Sequence, residues 1–180
     1  MKRMRLLVGI VVGSAVLGLA GPASAATSGT QDWRITFDGP LSTANAGGPT
    51  GRTVITHGLV NSMGYEDNVS QQPGSSPGTF VGGSDFVFPV GSYTVHVDGV
   101  IDNIRTFGPN SCYLLIDVSG TYDVVSGTGA FAGATGGGTF SGRNIVLQTP
   151  TDDGCSPDGA TLVSHLRGSG SMTLTGAQAA

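Results

Sequence analysis

Apolar and polar residues alternate in short runs along this chain, and glycine, proline, asparagine or aspartate bounds each run. In residues 32–37, for example, Trp33, Ile35 and Phe37 occupy every second position, which is the period of a strand with one buried face. After residue 25, no stretch keeps apolar residues at helical spacing for three turns, and glycine occurs throughout. The pattern therefore predicts an all-β fold.

The runs suggest about eight strands, spaced as in a β-barrel or a β-sandwich. They comprise residues 32–37, 52–60, 86–88, 93–98 with its continuation past Gly99 through 100–107, 112–125, 140–147, 161–167 and 171–175. We favour a closed antiparallel barrel, because closure leaves no exposed strand edges and eight strands can enclose one small ligand. A β-sandwich or jelly roll is the alternative. Gly99 and Gly120 suit barrel corners, and the polar residues 61–79 are predicted to form a long mobile loop.

The first 25 residues have the composition of a secretory signal peptide. Lys2, Arg3 and Arg5 precede an apolar stretch at residues 6–19, and residues 23–25 (ASA) form a small-residue cleavage site. The alternative is a membrane anchor, but a bilayer span needs about 20 apolar residues and this stretch is shorter. We therefore expect cleavage after Ala25 and a secreted protein with one β-barrel domain at residues 26–180.

Removal of this segment leaves an acidic chain with no lysine, because five arginines then face twelve acidic residues, a formal charge of −7. Proteins that bind nucleic acids or anionic membranes usually carry a basic stripe that neutralises phosphates. The composition therefore argues against both kinds of partner.

Cys112 and Cys155 are the two cysteines of the chain, and an even pair in an exported protein predicts one disulfide bond. In the chain-entropy description, closing a loop of this length stabilises the fold by roughly 4 kcal/mol. A catalytic thiol is the alternative, although a reactive cysteine would be a liability in an oxidising compartment.

Residues 126–142 read SGTGAFAGATGGGTFSG, and seven of these seventeen residues are glycine. Gly127, Gly129 and Gly133 are spaced as in a phosphate-binding loop, but such a loop must open a helix whose amide groups meet the phosphates. The residues after Gly133 are too rich in glycine to sustain a helix, so we expect a strand-to-strand turn with Phe131 as an apolar anchor. A nucleotide is therefore not expected, and no other cofactor is predicted.

Read from residue 125 as VSGTGAFAGATGGGTF, this stretch resembles the GGTG-x-F-x-G-A-x-G signature of allene oxide cyclase-like barrel proteins, a group similar to plant dirigent proteins. The resemblance covers residues 122–140 and extends loosely back to Tyr93, and Ser126 stands where the signature has its first glycine. It implies an eight-stranded antiparallel barrel with a mostly apolar cavity, of a kind often assembled as a homodimer or homotrimer. Members with known activity are isomerases or cyclases, which hold a flexible intermediate in one conformation.

His57, His96 and His165 are candidate bases for hydrolytic or metal chemistry, but no nucleophile-elbow motif accompanies them. His96 and Asp98 share one face of a predicted strand, and this face is opposite the apolar one. A solvated exterior is therefore the simpler interpretation, and no metal site is predicted.

Glu66 is the only glutamate of the chain and lies within the predicted loop. A loop folded over the barrel mouth would make Glu66 a weak candidate for a general acid or base, and a solvent-exposed carboxylate is the alternative. The candidate lining of a ligand pocket consists of Trp33, Phe86, Phe88, Tyr93 and Tyr113, which core packing explains equally well.

Two functions are compatible with these features. The first is a secreted barrel that binds a small apolar molecule and acts on it as an isomerase or cyclase. The second is a non-catalytic secreted barrel with a structural or partner-binding role. An apolar cavity of about 300 Å³ or more with a few polar groups favours the first function, whereas a barrel filled by its own side chains excludes an enzyme of this kind.

Overall fold

The computed structural model describes residues 26–38, 51–108 and 111–176, which form eight β-strands and one short 3-10 turn, Gly129–Phe131. The strands are β1 Thr27–Asp38, β2 Thr53–Gly58, β3 Ser62–Pro73, β4 Thr79–Phe88, β5 Gly91–Thr106, β6 Tyr113–Gly127, β7 Thr135–Thr151 and β8 Gly154–Leu174. Each strand pairs antiparallel with the next, and β8 pairs with β1 to close the barrel. The predicted all-β antiparallel barrel is confirmed. The predicted signal peptide lies outside the described residues.

Side chains alternate between the barrel interior and its outer face, as the sequence pattern predicts. In β1, Trp33 and Ile35 are buried, whereas Asp32 and Arg34 beside them are exposed. Inward side chains from the other strands join them in one apolar core along the barrel axis. The outer face is consequently the polar one.

The prediction of a long loop at residues 61–79 is wrong, because most of this segment is the strand β3 and its hairpin to β4. Glu66 pairs with Phe86 of β4, and a bulge between Asp67 and Ser70 shifts the register farther along. Most side chains of β3 are exposed or half-buried. Its sequence is therefore polar like that of a loop, and backbone pairing with β2 and β4 makes it a strand.

Strand β5 continues through Gly99, as the sequence pattern indicates, whereas β8 is longer than predicted because it joins the predicted strands at residues 161–167 and 171–175 into one. A Cβ atom at Gly168 would clash with the Trp33 indole, and one at Gly99 would clash with the Phe80 ring. These glycines make room for large interior rings inside continuous strands, and they do not end those strands.

Aromatic side chains fill one end of the barrel, which we call the closed end. Phe131 is fully buried in the 3-10 turn between β6 and β7, with its ring centroid 4.8 Å from that of Tyr93 and 5.3 Å from that of Phe88. Gly129 and Gly133 adopt φ angles of 57° and 65°, which favour glycine. The chain then enters β7 directly, so the glycine-rich stretch is a turn that closes the barrel and not a phosphate-binding loop.

The opposite end, which we call the open end, is bordered by the ends of four long strands, β5 to β8. Cys112, just before β6, forms a disulfide bond with Cys155 in β8, and their Cα atoms are 5.4 Å apart. Pro150 of β7 pairs with Cys155, so the bond joins strands on both sides of β7. The disulfide therefore holds the projecting strand ends together beside the barrel mouth.

Candidate ligand cavity

A cavity of about 280 Å³ occupies the barrel interior at the open end. Inward side chains from strands around the barrel line it, and most are apolar, including Trp33, Phe80, Phe86, Val97, Val118 and Leu166. This volume lies just below the lower bound of about 300 Å³ for ordinary small-molecule sites. The barrel interior therefore contains both a packed core and a space that a small ligand could occupy.

An aromatic layer separates the cavity from the closed end. The Trp33 ring packs edge-on against Phe86 and Tyr122, at centroid distances of 5.4 and 5.5 Å. Phe86 in turn packs against Tyr93 at 5.1 Å. Edge-to-face packing of this kind holds the rings in defined positions, so the floor of the cavity is rigid.

One wall of this mainly apolar cavity carries an ion pair. The Arg52 Nη1 and Glu66 Oε2 atoms are 2.9 Å apart, and Glu66 is only 4% exposed. Glu66 points inward from β3, and its backbone amide donates to the Arg52 carbonyl just before β2 at 3.0 Å. Strand pairing between β2 and β3 therefore positions both charged groups.

Further polar groups surround the same cavity. Ser84 of β4 is buried on its wall, and Asn144 and Thr161 line it from β7 and β8. A few polar groups in an otherwise apolar pocket are what orient a bound small molecule. The cavity therefore combines aromatic and aliphatic walls with one polar region.

The tyrosines beneath the cavity are held in their neutral form. Burial raises the pKa of Tyr93 far above its ordinary value, and the nearby Tyr122 adds to the rise. The Thr56 hydroxyl partly opposes this rise, although it lies outside hydrogen-bonding geometry to Tyr93. Burial also raises the pKa of Tyr122, an effect that Trp33 partly opposes and Asp32 strengthens. Neither tyrosine is therefore suited to act as a base near neutral pH.

The structure divides the predicted pocket residues into two groups. Trp33 and Phe86 line the cavity. Phe88 and Tyr93 pack with Phe131 at the closed end, and Tyr113 is 43% exposed on the surface. The last three are thus corrections to the predicted lining, because their positions in the strands place them beyond the cavity or outside the barrel.

The polar side of the cavity was missed by sequence reasoning, apart from Glu66. Glu66 was predicted to lie in a loop and instead lies buried on β3. Arg52 and Asn144 are polar residue types that usually face solvent, and Thr161 borders an irregularity between β7 and β8 that interrupts the simple alternation. Only tertiary pairing shows which polar residues point inward.

The histidines do not contribute to the cavity. His57, His96 and His165 are exposed on the outer face. Within the described ranges, no group of three His, Cys, Asp or Glu side chains is arranged to hold a metal ion. The described part of the chain also contains no helix long and apolar enough to cross a membrane.

No family model matches the chain, and no curated protein or solved structure is significantly similar to it. The resemblance to allene oxide cyclase-like proteins therefore rests on the quoted signature alone. The activity that it implies stays a prediction.

Proposed function

We propose that this protein is a secreted binding barrel that holds one small, mainly apolar molecule at its open end. A polar group of the bound molecule lies beside Arg52 and Glu66. The observation that carries this proposal is the ion pair in the wall of the apolar cavity. A buried ion pair is often no more stabilising than well-packed apolar side chains, so its position favours a role in orienting a ligand.

The mouth of the cavity also suits an apolar ligand. Ile101 lines the cavity and is 38% exposed, and Ile104 farther along β5 is 54% exposed. These side chains provide an apolar entry beside the projecting strand ends. The alternative of a structural or partner-binding barrel does not account for the cavity, although it agrees with the filled closed end.

The isomerase or cyclase activity implied by the family resemblance has one candidate catalytic group in this cavity, Glu66. Its carboxylate is held by Arg52 and faces the same space as the apolar walls. The remaining rate acceleration would come from holding a flexible substrate in one conformation against Trp33 and Phe86. We propose binding as the primary function and this activity as its extension. The test is loss of turnover of the co-purified ligand in Glu66→Gln, with binding of a neutral apolar dye retained as evidence that the cavity is intact.

Secretion is part of the same proposal. The composition of residues 1–25 and the disulfide bond both agree with an oxidising destination outside the cytosol. N-terminal sequencing of protein recovered from culture medium should begin at Ala26. Recovery of full-length chain from the cytosol with reduced cysteines would contradict this part.

Ligand binding is tested with N-phenyl-1-naphthylamine, a neutral apolar dye that fluoresces in apolar sites. Val97→Phe places a larger side chain in the cavity and should weaken dye binding at least tenfold. Val125→Phe makes the same change at a site that is 58% exposed, and it should leave dye binding unchanged. Equal binding by all three proteins would show that the dye does not use the cavity.

The natural ligand is sought by native mass spectrometry of the secreted protein. We expect a co-purified small molecule in the wild-type protein. A double variant, Arg52→Met with Glu66→Leu, removes both charges of this pair together, so that neither is left without the other. This variant should lose the natural ligand but still bind the dye. Retention of the ligand by the double variant would contradict the proposed orientation.

A further inference from the structure

The outer face of the barrel carries most of the arginines of an otherwise acidic chain. Four of the five arginines after residue 25 are exposed there, Arg34 on β1, Arg105 on β5, Arg143 on β7 and Arg167 on β8. Arg34 of β1 is directly opposite Arg167 of β8 in the strand register. Like charges directly opposite on neighbouring strands lower the stability of the folded chain. Favourable contacts elsewhere in the fold must therefore offset this loss of stability.

The four arginines differ in their partners. Asp117 accepts hydrogen bonds from Arg105 at 2.9 Å and from Arg143 at 2.6 Å. Arg143 above all, with Arg105, holds the pKa of Asp117 below its ordinary value. Arg34 and Arg167, by contrast, form no ion pair with any residue that the structure describes. These two guanidinium groups therefore lie side by side without a direct ion pair, and Asp32, two residues before Arg34 on the same exposed face of β1, lines the same depression.

A polar groove runs over this arginine pair. Two depressions of about 540 and 700 Å³ share Arg34, Arg167 and Ser141 in their walls. The groove crosses the barrel surface from β2 to β6, which at the usual strand spacing is about 19 Å. Hydroxyl and imidazole groups also line it, from Thr36, Thr139, Ser169, His57 and His165. The carboxylates of Asp32, Asp102 and Asp117 and the guanidinium group of Arg143 lie in the same walls, so the groove carries both signs of charge.

We propose that this groove, which we call the arginine groove, binds an acidic glycan and holds one of its carboxylate or sulfate groups between Arg34 and Arg167. The guanidinium fork matches the geometry of such oxyanions and binds them through paired hydrogen bonds. The surrounding hydroxyl groups can exchange hydrogen bonds with sugar hydroxyls. Because the rest of the chain is strongly acidic, a glycan with widely spaced charges suits the groove better than a densely charged polymer.

The test uses isothermal titration calorimetry with a hyaluronan hexasaccharide, which carries one carboxylate per disaccharide, and with its methyl ester, which is neutral. We expect the acidic form to bind and the ester to bind at least tenfold more weakly. Arg34→Gln and Arg167→Gln should each weaken binding of the acidic form about tenfold or more. Arg105→Gln, whose side chain is paired with Asp117, serves as the matched control and should change binding less than threefold.

Several outcomes would overturn the proposal. These are equal binding of acid and ester, an equal effect of all three arginine variants, or binding of inorganic sulfate with no binding of the hexasaccharide. The last result would indicate a free anion as the ligand. Tighter binding of single-stranded DNA would also contradict the preference for sparse charge. Dye binding in the barrel cavity, measured on the same variants, should be unchanged, so failure here is distinguishable from failure of the proposed cavity function.

Discussion

At the closed end of the barrel, Phe88, Tyr93 and Phe131 fill the interior, whereas at the open end smaller inward side chains leave a cavity of about 280 Å³. The strands and their alternation are the same at both ends. At the closed end the 3-10 turn inserts Phe131 into the interior, whereas at the open end the disulfide joins strand ends and does not line the cavity. One barrel can thus combine a rigid core with a ligand-sized space.

The two ends also differ in charge. The closed end contains neutral buried tyrosines, and the open end contains the Arg52–Glu66 pair. Buried charge is costly and is tolerated where a partner satisfies it. We therefore expect mutations of the packed interior at the closed end to change mainly stability, and mutations of the cavity wall at the open end to change mainly ligand binding.

The largest expected effect is at the closed end. Phe131→Ala removes a fully buried ring and should lower the free energy of unfolding by about 3–5 kcal/mol, measured by urea denaturation. Phe107→Ala removes a ring that is 61% exposed and should change stability by less than about 0.5 kcal/mol. Dye binding at the open end should survive Phe131→Ala below its unfolding transition. Loss of dye binding there would show that the two ends are not independent.

The disulfide at the open end should have the next largest effect. Replacing Cys112 and Cys155 together by serine removes a cross-link between residues 43 positions apart and should lower the free energy of unfolding by about 2–4 kcal/mol. The reduced wild-type protein is the matched comparison and should show a similar loss. A loss below about 1 kcal/mol would mean that strand pairing alone holds the open end.

Alkaline pH should selectively weaken the closed end. Burial raises the pKa of Tyr93 above its ordinary value of 10, so the unfolded chain releases this proton first as the pH rises. Stability is therefore complete below about pH 10 and should fall above it by up to about 1.4 kcal/mol per pH unit for this group. Tyr93→Phe should reduce the slope between pH 10 and 12, measured by urea denaturation at each pH. An unchanged slope would assign the effect to other groups, such as Tyr122.

The smallest expected change in stability concerns the outer face of the barrel, whose side chains do not pack in the interior at either end. Arg34→Gln removes one of two opposed like charges and should raise the free energy of unfolding by a few tenths of a kcal/mol at low salt. Added salt should reduce this gain by screening the charges. A destabilised variant would show that the Arg34 charge already has a stabilising partner in the folded chain.

Much of the barrel was predictable from the sequence, because its inward side chains obey a period of two. The run at residues 32–37 predicts β1 and its buried face, and the glycine-rich stretch predicts the turn that contains Phe131. The candidate site was less predictable. Trp33 and Phe86 were found because aromatic residues stand out, whereas Arg52 and Asn144 resemble ordinary surface residues in sequence.

By itself, the sequence determined the all-β class, the approximate number of strands and the pair of cysteines, since these depend on local periodicity and residue type. Tertiary structure decided that the polar segment after residue 61 is a strand, that Glu66 is buried beside Arg52, and that Arg34 lies opposite Arg167. These features depend on register between strands. Because a shift of one residue would turn every side chain to the other face, only the closed barrel determines which charges meet inside it and which meet on its surface.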